Sequence, residues 1–177
     1  MKTPFQLLAE SGLPVLLVGG HALHAYRYTR MTIDFDFMVA EENYAVLREF
    51  LAAQNFKEQG QVGQFGRFRP GPGQDPVLDI GKVNGATFDK LWSAAEQHDW
   101  DGAQLRVPAF MHLIALKLHA SKNPHRSARD LNDVIELLRL NPSRYTPEEL
   151  ETACRQFAPP GTFERLKDVK PYEHPQA

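Results

Sequence analysis

Two aspartates interrupt a segment that otherwise has the character of a buried strand. The segment Ile33–Val39, with sequence IDFDFMV, alternates apolar residues with Asp34 and Asp36. Asp is disfavoured in strands and is seldom buried without a partner. Since side chains two residues apart in a strand point the same way, Asp34 and Asp36 share a face. A cation or another partner must hold these two carboxylates.

Length and composition allow one globular domain, or a domain with a small appendage. The chain has 177 residues, of which 42% are apolar and 24% are charged. A net charge of −2 gives no global reason to expect nucleic acid or an anionic membrane as a partner. A local basic patch could still bind such a partner. Cys154 is the single cysteine, which agrees with a reducing compartment. The apolar run Leu13–Val18 is too short for a membrane span or a signal peptide, so we expect a cytoplasmic protein.

Periodicity predicts a sheet in the first part of the chain and helices in the later part. Apolar runs and alternation predict strands, and apolar residues three and four apart predict helices. The predicted elements are a strand at 15–20, a helix from His21, a strand at 33–39, a helix at 41–53, a hairpin from 65–69 and 77–83, and helices at 108–121, 127–140 and 146–157.

This order predicts an α/β (α+β) fold, with a mixed sheet flanked by helices and a C-terminal helical part. We expect the sheet core at 1–106 and the helical part at 107–167, packed together as one compact unit. Residues 168–177 are rich in proline and polar residues, which predicts a mobile tail.

The paired aspartates favour a divalent cation. Two carboxylates about 4 Å apart repel by roughly 4 kcal/mol at an effective dielectric constant near 20. Oxygen ligands favour Mg²⁺ or Mn²⁺, which retain waters and bind substrate phosphates. Asp79, on a neighbouring predicted strand, completes a possible metal triad and is a candidate general base. The alternative is an exposed strand end at which the aspartates pair with Arg27 or Arg30.

Gly19 and Gly20 lie between a predicted strand and a predicted helix. Without a Cβ, a phosphate can approach the backbone N–H groups there, and a helix N-terminus favours an anion. The alternative is an ordinary tight turn into a helix.

The combination of GGHAL and RMTIDFD resembles the signature of the nucleotidyltransferase (polymerase β-like) superfamily. More narrowly, it resembles the AbiEii-type toxin nucleotidyltransferases and their small bacterial relatives. The resemblance implies that Gly19 and Gly20 hold a nucleoside triphosphate and that Asp34 and Asp36 bind Mg²⁺. It implies that Asp79 completes the metal site.

The later segments HLIALKLHAS and SARDLNDVIELL resemble the helical part of the same family. The resemblance gives Lys117, with Asp130 or Asp133, a functional role. Lys117 also interrupts an apolar helical stripe, which favours a catalytic lysine that binds a phosphate. The alternative is a snorkelling side chain whose ammonium group reaches solvent. Asp130 is alternatively the acidic partner of an N-cap at Ser127, and Asp133 is alternatively a solvated charge.

Four further residues lie near the glycines and aspartates in the sequence. Arg30 and Thr32 lie in the R-x-T-x-D-x-D pattern, and the resemblance implies that they help to hold and orient the nucleotide. His21 stands where many relatives carry Ser or Thr, which would alter hydrogen bonding to a γ-phosphate. His24 follows three residues later, but two histidines without a third ligand are more typical of packing than of a zinc site.

Basic residues concentrate in the segment KNPHRSAR, residues 122–129, and Arg67 and Arg69 share a face of the hairpin. These are candidate contacts for the phosphates of an RNA acceptor such as tRNA, with solvated surface charge as the alternative.

Together these features predict a Mg²⁺-dependent nucleotidyltransferase of the EC 2.7.7 type, which moves an NMP from an NTP such as ATP to an acceptor hydroxyl. By resemblance, the role is toxin-like or phage-defence-like, with a cognate antitoxin as a possible partner. The alternatives are nucleotidylation of a small molecule such as an aminoglycoside, and a non-catalytic nucleotide-binding or interaction module.

Overall fold

The computed structural model describes residues 2–71 and 73–172. The last five residues of the predicted tail, 173–177, therefore lie outside the described residues. The helices are α1 (Pro4–Ala9), α2 (Tyr44–Ala53), α3 (Gly85–Ser93), α4 (Phe110–Ala120), α5 (Ser127–Leu140), α6 (Pro147–Phe157) and α7 (Thr162–Leu166). The strands are β1 (Leu16–Leu17), β2 (Phe35–Ala40), β3 (Lys57–Val62), β4 (Phe65–Arg69), β5 (Leu78–Val83), β6 (Glu96–Trp100) and β7 (Ala103–Val107).

The seven strands form one mixed sheet in the order β3-β4-β5-β2-β1-β7-β6. Strands β2 and β5 are parallel, as are β1 and β7, and the remaining neighbours are antiparallel. The predicted α/β class with a mixed sheet and flanking helices is confirmed.

The chain divides into two compact units, which we call the sheet unit and the helical unit. The sheet unit comprises the chain up to Ala25 and Arg30–Pro108, and the helical unit comprises Tyr26–Thr29 and the chain from Ala109. All seven strands and α1 to α3 belong to the sheet unit. Whether the two units pack together as one body stays a prediction.

One face of the central strands forms the core of the sheet unit. Phe37 and Ile80 are fully buried and lie side by side on β2 and β5. Phe68, on the same face of β4, packs beside Tyr44 of α2, with ring centroids 6.2 Å apart. The buried residues of α2, Tyr44, Leu47 and Leu51, recur at helical spacing and form one stripe. Through Tyr44, this stripe of α2 packs on the apolar face of the sheet.

The helical unit has its own apolar core, built from helices α4, α5 and α6. Each helix contributes a buried stripe, with Leu113 and Ile114 on α4, Leu137 on α5 and Leu150 on α6. Burial also raises the pKa of the Cys154 thiol on α6 to about 11, so this thiol stays protonated at neutral pH. None of the helices in residues 2–71 and 73–172 has both the length and the apolar composition needed to cross a membrane.

The observed elements depart from the predicted ones in two ways. The helix predicted from His21 is a 3-10 helix, His21–Tyr26, and the segment Glu41–Asn43 before α2 is also a 3-10 turn. Six elements were not predicted, namely α1, β3, α3, β6, β7 and α7. The sheet is consequently wider than expected, with β3 and β6 at its two edges.

Candidate active site

The structure brings the predicted aspartates together on one face of the sheet. Asp36 on β2 and Asp79 on β5 are register partners in parallel neighbouring strands, so their side chains project from the same face. Asp34 precedes β2 by one residue, and its side chain is 47% exposed. This acidic face lies opposite the apolar face that carries Phe37 and Ile80.

Arg67 contacts this acidic face with its positive charge. It is the register partner of Asp79 on β4, and its guanidinium donates two hydrogen bonds to the Asp79 carboxylate, Nε to Oδ1 at 2.8 Å and Nη2 to Oδ2 at 2.7 Å. The same Nη2 lies 3.9 Å from Asp34 Oδ2. Sequence reasoning placed Arg67 on the hairpin but considered only Arg27 and Arg30 as partners of the aspartates.

Electrostatics also link Arg67 to all three carboxylates. The pKa of the Arg67 guanidinium is raised, first by its hydrogen bond to Asp79 and then by the negative charges of Asp79, Asp34 and Asp36, while burial opposes the shift. A positive group is therefore stabilised at this place on the sheet.

The donor set suits Mg²⁺ or Mn²⁺, because every candidate ligand is a carboxylate and the face already attracts a cation. Within residues 2–71 and 73–172, however, no three acidic, histidine or cysteine side chains form a ligand group as they stand. Both oxygens of Asp79 accept hydrogen bonds from Arg67. The ligand roles of Asp34, Asp36 and Asp79 thus remain predictions.

The glycine turn packs directly against the acidic face. Gly19 has a φ of +67°, and a Cβ at this position would lie 2.1 Å from Asp36 Oδ2. A Cβ on Gly20 would lie 2.6 Å from Thr32 Oγ1. Both positions exclude a side chain, so the turn brings its backbone to Asp36 and Thr32 more closely than other residues allow.

We predict that Gly19→Ala reduces the nucleotidyl transfer implied by the sequence resemblance far more than its backbone strain alone explains. The left-handed conformation costs an alanine about 1–2 kcal/mol, and the new methyl group must also displace the Asp36 carboxylate. Gly63→Ala is the matched control, because Gly63 has a φ of +60° and no atom near its Cβ position. Thermal unfolding and nucleotidyl transfer are measured for both variants. Equal losses of activity in both would contradict the prediction.

Arg30 and Thr32, the predicted nucleotide contacts, lie in the segment that leads into β2. The Thr32 hydroxyl donates to the backbone oxygen of Asp34 at 3.5 Å, and Arg30 Nη1 donates to the backbone oxygen of Met31 at 3.2 Å. Thr32 is therefore held between the glycine turn and the first aspartate. The roles of Arg30 and Thr32 toward a nucleotide stay predictions.

His21 belongs to an aromatic cluster rather than to the acidic face. Its ring stacks on Phe35 with centroids 4.5 Å apart, and Phe35 lies on the opposite face of β2 from Asp36. Phe5, His24 and Trp100 complete this cluster. Burial, followed by the charges of His24 and Arg30, lowers the pKa of His21 to about 4, so its imidazole is neutral at pH 7.

We predict that His21 makes the folded state less stable as the pH falls from about 6.5 to about 4. In this window the unfolded chain binds a proton at His21 and the folded chain does not, so protonation favours unfolding. His21→Phe should flatten this part of the profile, and His125→Phe is an exposed control. Urea midpoints between pH 4 and pH 7 measure the effect. A profile that is unchanged in His21→Phe would refute the assignment.

Lys117 in the helical unit is buried in an ion-pair network. Its side chain is 5% exposed, and Nζ lies 3.0 Å from Asp130 Oδ1 and 2.7 Å from Asp133 Oδ2. Both aspartate side chains are fully buried, and Arg126 Nε also donates to Asp130 Oδ2 at 3.2 Å. Lys117 therefore does not snorkel to solvent, and Asp133 is not a solvated charge.

The N-cap alternative for Ser127 is wrong. Arg126 is the N-cap of α5, Ser127 is the first helical residue, and the N-cap makes no side-chain hydrogen bond. Asp130 is instead buried as the shared partner of Lys117 and Arg126. In the basic segment, Lys122, His125 and Arg129 are exposed, whereas Arg126 is engaged with Asp130.

Comparison with known proteins identifies the fold. No family model and no curated protein sequence matches the chain. Among solved structures, the solution structure of the antibiotic-resistance factor ANT(2'')-Ia matches with a TM-score of 0.64 and 18% identity, covering 85% of each chain. ANT(2'')-Ia in complex with adenylyl-2''-tobramycin matches with a TM-score of 0.62 and 17% identity, over 85% of this chain and 90% of that one.

Two further structures extend the likeness. An antigenic nucleotidyltransferase-like protein from Paracoccidioides brasiliensis has a TM-score of 0.55 and 13% identity, over 96% of this chain and 90% of that one. The Megavirus polyadenylate synthase has a TM-score of 0.52 and 13% identity, over 86% of this chain and 36% of the synthase. The chain thus has the nucleotidyltransferase fold, as predicted. At these identities, the likeness describes the fold alone.

Proposed function

We propose that the protein is a nucleotidyltransferase that moves an NMP from an NTP to a hydroxyl group of an acceptor. The observation that carries this proposal is the acidic face, where Asp36 and Asp79 are register partners and Gly19 packs against Asp36. A backbone turn beside carboxylates provides both N–H donors for phosphates and oxygen ligands for their counter-ion. The fold supports this reading.

In this proposal Asp34, Asp36 and Asp79 would hold Mg²⁺ or Mn²⁺. A divalent ion at this place would neutralise phosphate charge and align the triphosphate. Gly19 and Gly20 would bind phosphate oxygens through the backbone, with Arg30 and Thr32 orienting the nucleotide. Two observations support these assignments. The first is the resemblance in sequence, and the second is that Asp36 and Asp79 project from one face of the sheet.

The reaction requires one bond to form and one to break. The acceptor oxygen bonds to the α-phosphorus, the bond from that phosphorus to the bridging oxygen breaks, and pyrophosphate leaves. Asp79 would take the acceptor proton and pass it to water. A phosphate-binding role for Lys117 stays a prediction, since its contacts with Asp130 and Asp133 equally support a structural role.

For the acceptor we favour an RNA such as tRNA, because Lys122, His125 and Arg129 are exposed near the start of α5. The resemblance to AbiEii-type toxins supports a toxin-like or phage-defence role with a cognate antitoxin. A small-molecule acceptor is the second candidate, since ANT(2'')-Ia is similar in fold and has been solved with adenylyl-2''-tobramycin.

The test is incubation of the protein with each labelled NTP, Mg²⁺ and either total cellular RNA or tobramycin. The control is the Asp34→Ala/Asp36→Ala double variant. We expect label on RNA and release of pyrophosphate with the intact protein only. Label on tobramycin alone would favour the small-molecule acceptor. NTP binding without pyrophosphate release would indicate a non-catalytic module, and equal labelling by the double variant would refute the site.

A further inference from the structure

Arg67 is paired with the carboxylate of Asp79, a candidate metal ligand. Its guanidinium binds the two oxygens of Asp79 in a fork, at 2.8 Å and 2.7 Å. Such a bidentate pair fixes the orientation of the carboxylate and also stabilises its negative charge. The Asp79 side chain is only 14% exposed, whereas that of Arg67 is 47% exposed.

A divalent ion and this guanidinium compete for the same oxygens. Mg²⁺ requires ligands at about 2.0–2.1 Å in octahedral geometry. The fork already uses one of the two lone-pair positions on each oxygen of Asp79. Three carboxylates and one guanidinium leave the face with a net charge of −2, so it still attracts a divalent cation. An ion at Asp79 would therefore face both the charge and the two hydrogen bonds of Arg67, and a withdrawal of Arg67 would free the carboxylate for it.

The position of Arg67 permits such a withdrawal. Its side chain is 47% exposed, and it projects from β4, one strand from the edge of the sheet. An arginine that is half in solvent has room to rotate into water, whereas the backbone of Asp79 is fixed between β2 and β4.

We propose that Arg67 is a positioning residue that holds Asp79 ready and competes with the divalent ion for its carboxylate. Asp34, Asp36 and Asp79 would hold the ion together, and the pairing of Asp79 with Arg67 would weaken the contribution of that carboxylate. The affinity for metal would therefore be lower than it would be without Arg67. This inference rests on the proposed metal site.

The test measures Mn²⁺ affinity directly, from the electron paramagnetic resonance signal of free Mn²⁺, without NTP or acceptor. We expect Arg67→Met to bind Mn²⁺ at least about tenfold more tightly than the natural protein. Arg67→Lys, which retains the charge but not the fork, should lie between them. Arg69→Met is the matched control, because Arg69 lies two residues along the same face of β4, and it should leave the affinity unchanged.

A double-mutant cycle assigns the gain to Asp79. Adding Asp79→Asn to Arg67→Met should abolish the tighter binding, since the released carboxylate is then missing. Unchanged or weaker Mn²⁺ binding in a folded Arg67→Met variant overturns the inference. If that variant does not fold, Arg67→Lys decides, and Mn²⁺ affinity equal to that of the natural protein overturns it.

The outcomes separate this inference from the proposed function. Tighter Mn²⁺ binding without transfer to any acceptor would support the role of Arg67 and contradict the enzyme. Transfer by the natural protein with no change of Mn²⁺ affinity in the Arg67 variants would support the enzyme and contradict the role of Arg67.

Discussion

Asp36→Asn is expected to reduce nucleotidyl transfer by about 1000-fold while leaving the protein folded. The substitution keeps the volume of the side chain but removes the charge that would bind a divalent ion in the proposed site, and metal stabilisation of the transferring phosphoryl group is worth several kcal/mol. Asp36 is the central carboxylate, beside Asp79 on the next strand and against Gly19. Single-turnover transfer rates at saturating NTP measure the effect.

The control for this prediction is Asp99→Asn, on the edge strand β6. It has the same change of charge outside the acidic face, so its transfer rate should equal that of the natural protein. Thermal unfolding of both variants confirms that they are folded. A folded Asp36→Asn variant with more than about a tenth of the natural rate would contradict the proposed metal role.

Lys117→Met is expected to destabilise the protein by about 3–5 kcal/mol, because it leaves two buried carboxylates without their shared cation. This is a large fraction of the stability of an ordinary domain, and the variant should unfold at a much lower urea concentration. Lys122→Met, at an exposed lysine between α4 and α5, should change stability by less than about 0.5 kcal/mol.

A compensated variant separates a structural Lys117 from a phosphate-binding one. Lys117→Met combined with Asp130→Asn and Asp133→Asn removes the buried charges together and should recover much of the lost stability. If Lys117 is purely structural, this variant keeps the KM for NTP. A KM raised about tenfold or more in a folded protein would instead indicate a phosphate contact. Stability of Lys117→Met equal to that of the natural protein would show that the ion pairs contribute nothing.

Much of the fold was predictable because apolar periodicity directly reports which face is buried. Helix α5 follows that pattern closely and was predicted with its observed bounds. Strand β2 was predicted to begin at Ile33, but it begins at Phe35, Ile33 is 71% exposed, and Phe37–Ala40 are buried without alternation. Strand β3, with sequence KEQGQV, carries almost no apolar alternation, so only its pairing with β4 defines it. The β6–β7 hairpin had a readable signal, the Asp101–Gly102 pair, whose φ angles of 54° and 80° suit a tight hairpin turn.

The candidate site was predictable in its residue types but not in its pairing. The alternation of Asp34 and Asp36 shows that they share a face, and this depends on local geometry alone. The contact between Arg67 and Asp79 depends on the register of β4 against β5, across a loop whose geometry the sequence does not define. The burial of Lys117 between Asp130 and Asp133 depends on how α4 packs on α5, so periodicity along either helix could not show it.

The two outer strands of the sheet have a consequence for assembly. Strand β3 carries lysine, glutamate and glutamine side chains and a bulge between Glu58 and Gly60. Strand β6 carries Glu96, His98 and Asp99. Charged side chains and irregular backbone at a sheet border discourage the addition of a strand from another molecule. We therefore expect that this protein does not self-associate by pairing the edge strands β3 and β6 of different molecules, even at high concentration.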